Sequence, residues 1–479
     1  MGPDRDDLLA RPHPGGQVFP TDFHDAPDDT PNELPARTKG HRAQDKEIAR
    51  LAIPAFAALI SEPLFLLADA AIVGHLGTAQ LAALGIAGTV IQTAVGLFVF
   101  LAYGTTSTVA RSVGAGDRAG ALSVGVDGIW LAVIIGTLAA TATALLTPTI
   151  VSGFGAADDV DGYTTTYLRI AAFGIPSLLL LLAATGVLRG LQDTRTPLYV
   201  AVVANLANIA LNVTFVYGFG WGIAGSAAGT LVAQSVAALA IVAVVVRAAR
   251  RVGAQLVPHL PGVAAAWRTG VPLIVRTLSL RLALLLATYV AAAISTPAVA
   301  AHQVAFTIWM FLAFALDAIA IAGQAITGKL LGAGDAVAAR AATRRMMQWG
   351  LVSGIALGVG LALIRPLIVP LFTSDAQVQD LLSLVLLIAA AQQPVSGIVF
   401  VLDGVLIGAG DGRFLAWAGV VNLLVFVPLA LAVPWLGGGI GWLWGAFTAF
   451  MLMRLVTLLW RERSDSWLVL GAAPAARNR

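Results

Sequence analysis

Apolar residues along this chain gather into long blocks, and polar residues are confined mostly to the short stretches between them. Twelve blocks reach the roughly 20 residues that a helix needs to cross a hydrocarbon core about 30 Å thick. They cover about 48–73, 80–110, 120–147, 163–188, 196–218, 222–246, 266–291, 298–328, 340–364, 378–406, 414–434 and 439–460. The pattern predicts an all-α polytopic membrane protein with 12 transmembrane helices. Gly and Ala abound inside the blocks, as expected where helices approach closely in lipid.

The second half of the chain repeats the first. A shift of 218 positions lays the segment from Pro54 on that from Pro272, Gly114-Ala115-Gly116-Asp117 on Gly332-Ala333-Gly334-Asp335, Pro176 on Pro394, Gly186-Val187-Leu188 on Gly404-Val405-Leu406 and Asp193 on Asp411. Beyond Asp193 the register slips by one, so that Gly222 meets Gly439. Polar residues share this register, which separates a true repeat from chance likeness between apolar stretches. Six blocks per half is an even number, so the two six-helix lobes share one orientation and relate by a pseudo-twofold axis along the membrane normal. The expected organisation is an N-lobe over 46–247, a cytoplasmic linker over 248–265 and a C-lobe over 266–463. Residues 464–479 form a short cytoplasmic tail. Residues 1–45 are rich in Pro, Asp and Gly and have no apolar run, which predicts a disordered tail rather than a signal peptide.

Composition agrees with a membrane protein. Hydrophobic residues make up 58% of the chain and charged residues 11%, against about 25% charged in soluble proteins. The net charge of +3 does not point to nucleic acid, because the basic residues sit in the junctions between blocks. Lys39, Arg42, Lys46 and Arg50 precede the first block; Arg111 and Arg118 follow the second, Arg189 and Arg195 the fourth, and Arg247, Arg250, Arg251 and Arg268 the sixth. Lys329, Arg340, Arg344, Arg345, Arg413, Arg461 and Arg463 continue the series on the same side, while Arg365 alone marks the other. By the positive-inside rule both termini are cytoplasmic. Cysteine is absent, which excludes disulfides, thiolate metal sites and cysteine nucleophiles. The six scattered histidines suggest no metal site.

Ionisable residues deep in an apolar block are costly and are kept only with a partner or a task. Few occur: Glu62 and Asp69 in the first block, Asp127 in the third, Arg276 and Arg281 in the seventh, Asp317 in the eighth and Asp403 in the tenth. The fifth block adds Asn205, Asn208 and Asn212, of which Asn208 and Asn212 stack on one helix face at i, i+4. Thr230 in the sixth can join them. Two readings stand side by side. Either the amides surround an acid from a neighbouring helix and form a proton or Na⁺ site, where burial disfavours the charged carboxylate, or they clamp helix backbones together. For Asp317 the expectation is an ion pair with Arg281 or Arg276, since three unpaired charges would be expensive. Arg276, Arg281, Asp317 and Asp403 together form a candidate polar network of the C-lobe. The paired Gly-Ala-Gly-Asp runs read as turns with a capping Asp, His302 as a packed helix residue, and Trp130, Trp309 and Trp417 as lipid-facing or core.

Several segments together resemble one family. Leu66-Leu67-Ala68-Asp69-Ala70-Ala71-Ile72-Val73-Gly74-His75-Leu76-Gly77, Val113 to Asp117 and Ala204 to Asn212 look like the multidrug and toxic compound extrusion (MATE) family. Ala300 to Ala305, Leu316 to Ala325 and Leu402 to Asp411 are similar to its branch of the DNA-damage-inducible protein F (DinF) type. The resemblance covers about residues 46–460 and implies two lobes around a central cleft, with drug or metabolite export driven by inward H⁺ or Na⁺. The family's N-lobe cation site falls on Asp69, Asn208, Asn212 and Thr230. Many relatives carry Asp at the place of Asn212, and one carboxylate fewer favours H⁺ over Na⁺. The acidic C-lobe site of the NorM-type branch is echoed only by Asp403. The expectation is therefore a monomeric secondary exporter of small cationic or amphipathic molecules in the plasma (inner) membrane, coupled to a cation and needing no cofactor. The alternative from the wider superfamily is a flippase for lipid-linked precursors, which calls for more helices or a cationic cavity. No catalytic constellation suggests an enzyme.

Overall fold

The computed structural model describes residues 40–155 and 157–472. The tail expected over 1–45 lies outside them except for its last residues, and 473–479 lie outside them too. Among the described residues the chain is helical throughout. The N-lobe comprises α1 (His41–Gly74), α2 (Thr78–Leu97), α3 (Phe100–Gly114), α4 (Arg118–Ser152), α5 (Asp158–Ala172), α6 (Ile175–Gly190), α7 (Arg195–Val213) with a π-helical turn (Thr214–Gly218), and α8 (Gly222–Arg251). The C-lobe comprises α9 (Leu260–Ile294), α10 (Thr296–Gly332), α11 (Ala336–Phe372), α12 (Ala376–Gly408), α13 (Gly412–Trp435) and α14 (Ile440–Arg463). Counting α2 with α3, and α5 with α6, as single spans gives twelve crossings.

Two of the expected single helices are broken, both in the N-lobe. The fourth span bends by 45° between α5 and α6, where Gly174 and Pro176 combine a weak helix former with a residue that lacks an N–H donor. Its repeat partner Pro394 lies inside the unbroken α12, where Gln392 replaces Gly174. The second span breaks between α2 and α3 just after Gly96, whose repeat partner in unbroken α10 is Phe314. Proline thus bends one lobe and not the other, depending on its neighbours.

Glycine sets the helix contacts in both lobes. On α6, Gly186 and Gly190 lie against the backbone of α3 at Ala102 and Thr106. Their repeat partners on α12, Gly404 and Gly408, lie against α10 at Ala320 and Gln324. Spacing of four puts both glycines on one face and allows backbones to touch.

The lobes meet at the Arg/Lys-rich end through a crossing of α3 and α10 that obeys the repeat. A Cβ at Gly114 would strike the Lys329 carbonyl, and one at Gly332 would strike the Arg111 carbonyl. Arg111 reaches over to the C-lobe with Nη1 donating to the Ala409 carbonyl at 2.7 Å, while Lys329 reaches back with Nζ donating to Gln192 Oε1 at 3.1 Å. Gln192 has φ 64° and its partner Gly410 φ 76°, so the two receiving loops share a conformation. Residues after α14 fold back over this crossing: Arg111 Nε donates to the Gly471 carbonyl at 3.3 Å, Gly471 N–H donates to the Leu331 carbonyl at 2.9 Å, and Trp467 is buried. Gly332→Leu is expected to force α3 and α10 apart and lower stability by about 1–3 kcal/mol. Spin-label distances between the ends of α3 and α10 should lengthen; unchanged distances at full stability would show that the crossing is not the closure.

The linker expected over 248–265 is shorter, because α8 runs on to Arg251 and α9 begins at Leu260. It is pinned to α4. Gln255 N–H donates to Ser123 Oγ at 3.1 Å, His259 N–H to Asp127 Oδ1 at 3.1 Å, and Trp130 Nε1 to the Leu256 carbonyl at 3.1 Å. Asp127 thus binds the linker backbone.

Candidate functional site

The four residues expected to form the N-lobe cation site come together. Asp69 on α1, Asn208 and Asn212 on α7 and Thr230 on α8 are all buried. Asn212 Nδ2 donates to Asp69 Oδ1 at 2.8 Å and to Asn208 Oδ1 at 2.9 Å, and Asn208 Nδ2 donates to Thr230 Oγ1 at 3.0 Å. The i, i+4 spacing of the two asparagines makes the amide chain possible. Asn205, three residues earlier, instead donates from Nδ2 to the Ser61 carbonyl of α1 at 3.1 Å. Asn208 and Asn212 thus gather around the acid, while Asn205 clamps a helix backbone.

Two members of the site were missed in the sequence. Ser226 on α8 donates from Oγ to Asp69 Oδ1 at 2.8 Å, and Tyr167 on α5 is buried beside Thr230 and Ser226. Ser226 precedes Thr230 by one helical turn, a signal available from spacing alone. Tyr167 gave none, because its place depends on the bend between α5 and α6.

Asn212 turns its N–H edge toward Asp69. Its Oδ1 has no hydrogen-bond partner and lies so close to α8 that a Cβ at Gly229 would collide with it. Among the described residues no Lys or Arg forms an ion pair with Asp69. One amide and one hydroxyl donor both reach Oδ1 of the carboxylate and leave its charge unneutralised.

The C-lobe has no equivalent. Asp69 maps to Ala287 and, after the slip, Asn208 to Val425, Asn212 to Leu429 and Thr230 to Phe447. Around those positions lies a cavity lined by Ala287, His302, Phe306, Trp444 and Phe447. His302 meets Thr288 Oγ1 at 3.2 Å, as a packed helix residue should, and Trp309 is core while Trp417 is half exposed.

The charged residues of the C-lobe pair differently from expectation. Asp317 forms no ion pair with Arg281 or Arg276. Arg276 is instead paired with Asp403, through Nη2 to Oδ2 and Nε to Oδ1. Asp403 also accepts from Arg454 Nη2 on α14 at 3.3 Å, an arginine that the sequence reading overlooked. Arg281 is exposed, with its guanidinium against Gly96 of α2. Asp317 acts electrostatically with Arg189 of the N-lobe and with Arg276. Arg189 had been counted with the flanking basic residues, and the helix turn that carries it faces inward. Among the described residues no group of three His, Cys, Asp or Glu is placed to hold a metal.

Comparison with known proteins agrees with this architecture. The MatE family model matches residues 54–214 and 272–432, two segments whose starts are 218 residues apart, as the internal repeat requires. Protein DETOXIFICATION 44, chloroplastic, of Arabidopsis thaliana is 31% identical over 448 residues, covering 89% of this chain and 84% of that protein. The DNA damage-inducible protein F of Escherichia coli is 28% identical over 442 residues, covering 89% and 94%. In fold, the chain is similar to the Vibrio cholerae MATE transporter VcmN in its bent form, with a TM-score of 0.82 at 22% identity, covering 89% of this chain and 98% of that one. A MOP superfamily transporter from Pyrococcus furiosus gives 0.80 at 24%, covering 90% and 99%. With the family model matched across both lobes, the chain belongs to the MatE family: it is a multi-pass membrane transporter of the multidrug and toxin efflux type and not an enzyme.

Proposed function

We propose that this transporter exports small amphipathic or cationic molecules in exchange for protons, and that Asp69 carries the proton. The observation that supports H⁺ over Na⁺ is the orientation of Asn212. A Na⁺ ion needs a shell of oxygen ligands, as hard cations do; here the site holds a single carboxylate, and an N–H donor of Asn212 takes up its Oδ1. A proton needs no such shell. An ionised Asp69 holds the α1–α7–α8 contact through Asn212 and Ser226, whereas the neutral acid weakens both charge-assisted hydrogen bonds. Protonation from outside would loosen α1, which already carries Pro54 and Pro63 inside the helix, and discharge to the inside would restore it.

The lobes rock about the α3–α10 crossing, and with the basic junctions inside, the protein lies in the plasma membrane with both termini cytoplasmic. It works as a monomer, since each lobe supplies its own part of the cleft. In inverted membrane vesicles, proton-gradient-dependent accumulation of an organic cation is expected, abolished by a protonophore and indifferent to Na⁺. Accumulation that persists without a proton gradient but follows Na⁺ would overturn the reading. A reporter fused to the C-terminus should be active only on the cytoplasmic side.

A further inference from the structure

The Arg276, Asp403 and Arg454 cluster carries more positive than negative charge. Two guanidinium groups share one carboxylate, and their side chains are 14% and 10% exposed beside an Asp at 8%. Widening the cluster does not restore balance, because the next acid, Asp317, brings Arg189 with it. The aromatic rings nearby, Tyr103 over Arg276 and Phe450 over Arg454, each at 6.0 Å, attract cations weakly and cancel no charge. Arg454 uses Nη2 for Asp403 and Nη1 for the Met451 sulfur at 3.6 Å, which leaves N–H donors to spare.

Those arginines line a cavity. It is a partly open pocket between α9, α12, α13 and α14, spanning about 350 Å³ with its open mouth included, and it is bordered by Arg276, Asp403, Arg454 and Asn422. Asn422 is buried, donates weakly from Nδ2 to Thr457 at 3.5 Å, and has an Oδ1 with no partner. The helices α9, α13 and α14 are the repeat counterparts of α1, α7 and α8, which hold Asp69 in the N-lobe. Arg276 and Arg454 stand about three helical turns from the level of the Asp69 site, at the counterparts of Ala58 and Ala237.

We infer that this C-lobe cavity binds a small anion, a carboxylate in the first place, between the guanidinium groups of Arg276 and Arg454. A buried unmatched cation is costly without a counter-charge, and a planar carboxylate fits a guanidinium fork. The free Asn422 Oδ1 adds a place for a hydroxyl or amine donor next to that carboxylate. A hydroxy or amino acid meets both demands, and a halide only the first. The inference rests on the C-lobe alone and stands apart from proton coupling at Asp69.

The test uses the purified full chain in detergent at constant ionic strength, with a bulky sulfonate replaced in turn by chloride, acetate and glycolate. Thermal stability is expected to rise in the order chloride, acetate, glycolate. Arg454→Gln should remove the response. Asp403→Asn frees both arginines and should tighten anion binding by roughly tenfold or more, the opposite of what a purely structural ion pair would show. Asn422→Ala should erase only the advantage of glycolate over acetate. Stability that is the same in all four salts for the wild type, or a response undiminished in Arg454→Gln, would overturn the site. If Arg454→Gln does not fold, the Asp403→Asn comparison decides alone: no gain in anion affinity there also overturns it. Equal shifts with chloride and glycolate would support the anion site and overturn the part assigned to Asn422.

Discussion

Asp69→Asn is expected to fold, insert and lose proton-coupled export entirely. The new amide keeps an oxygen where Oδ1 accepts from Asn212 and Ser226, so stability should change by no more than about 1 kcal/mol. What disappears is the group that can gain and lose a charge. A ligand or ion moves a conformational equilibrium only through its differential interaction with the two states, and an amide offers a proton none. Export driven by an imposed pH gradient should therefore fall to the level of empty liposomes, while substrate binding persists. Retention of proton-driven transport would remove Asp69 from the mechanism.

Asn212→Asp should change the coupling ion. It places a second carboxyl in contact with the first, and two like charges about 4 Å apart repel by about 4 kcal/mol at a surface-like dielectric. The variant can relieve this by taking up a proton or by binding a cation between the carboxylates. The amide donor that faces Asp69 is replaced by oxygens, so a Na⁺ shell becomes available from Asp69, the new carboxylate, Asn208 and Thr230. The expected result is higher thermal stability with Na⁺ than with a bulky organic cation in this variant, and no such difference in the wild type. Export by the variant should also respond to an imposed Na⁺ gradient. A variant that stays blind to Na⁺ would show that the carboxylate count does not select the ion.

Much of this site was legible because its parts obey local rules. Asp69 stood out as an acid in an apolar block, and Asn208 and Asn212 as amides one turn apart. What sequence patterning could not place was partnership across helices. Asp317 and Arg276 lie in adjacent spans, yet Arg276 turns to Asp403 on α12, because helix rotation and not span order decides which side chains meet. Arg454 and Arg189 were hidden for a related reason. Arg189 lies near a span end and so reads as flanking charge, although its helix turn faces the other lobe. Tyr167 depended on the break between α5 and α6, which proline alone does not predict, since its repeat partner Pro394 leaves α12 intact. The repeat itself was the strongest signal. It predicted the two lobes; the twin glycine contacts of α6 and α12 and the reciprocal reach of Arg111 and Lys329 obey its register but came only with the structure.

The most direct test of coupling is substrate-induced proton release by the purified transporter in weakly buffered solution near neutral pH. If substrate and proton favour opposite states through Asp69, linkage requires that each lowers the affinity of the other. Saturating substrate should then release up to about one proton per wild-type transporter and none from Asp69→Asn. Equal release from both proteins would contradict Asp69 as the proton carrier, and no release from the wild type, with binding confirmed, would contradict proton antiport itself.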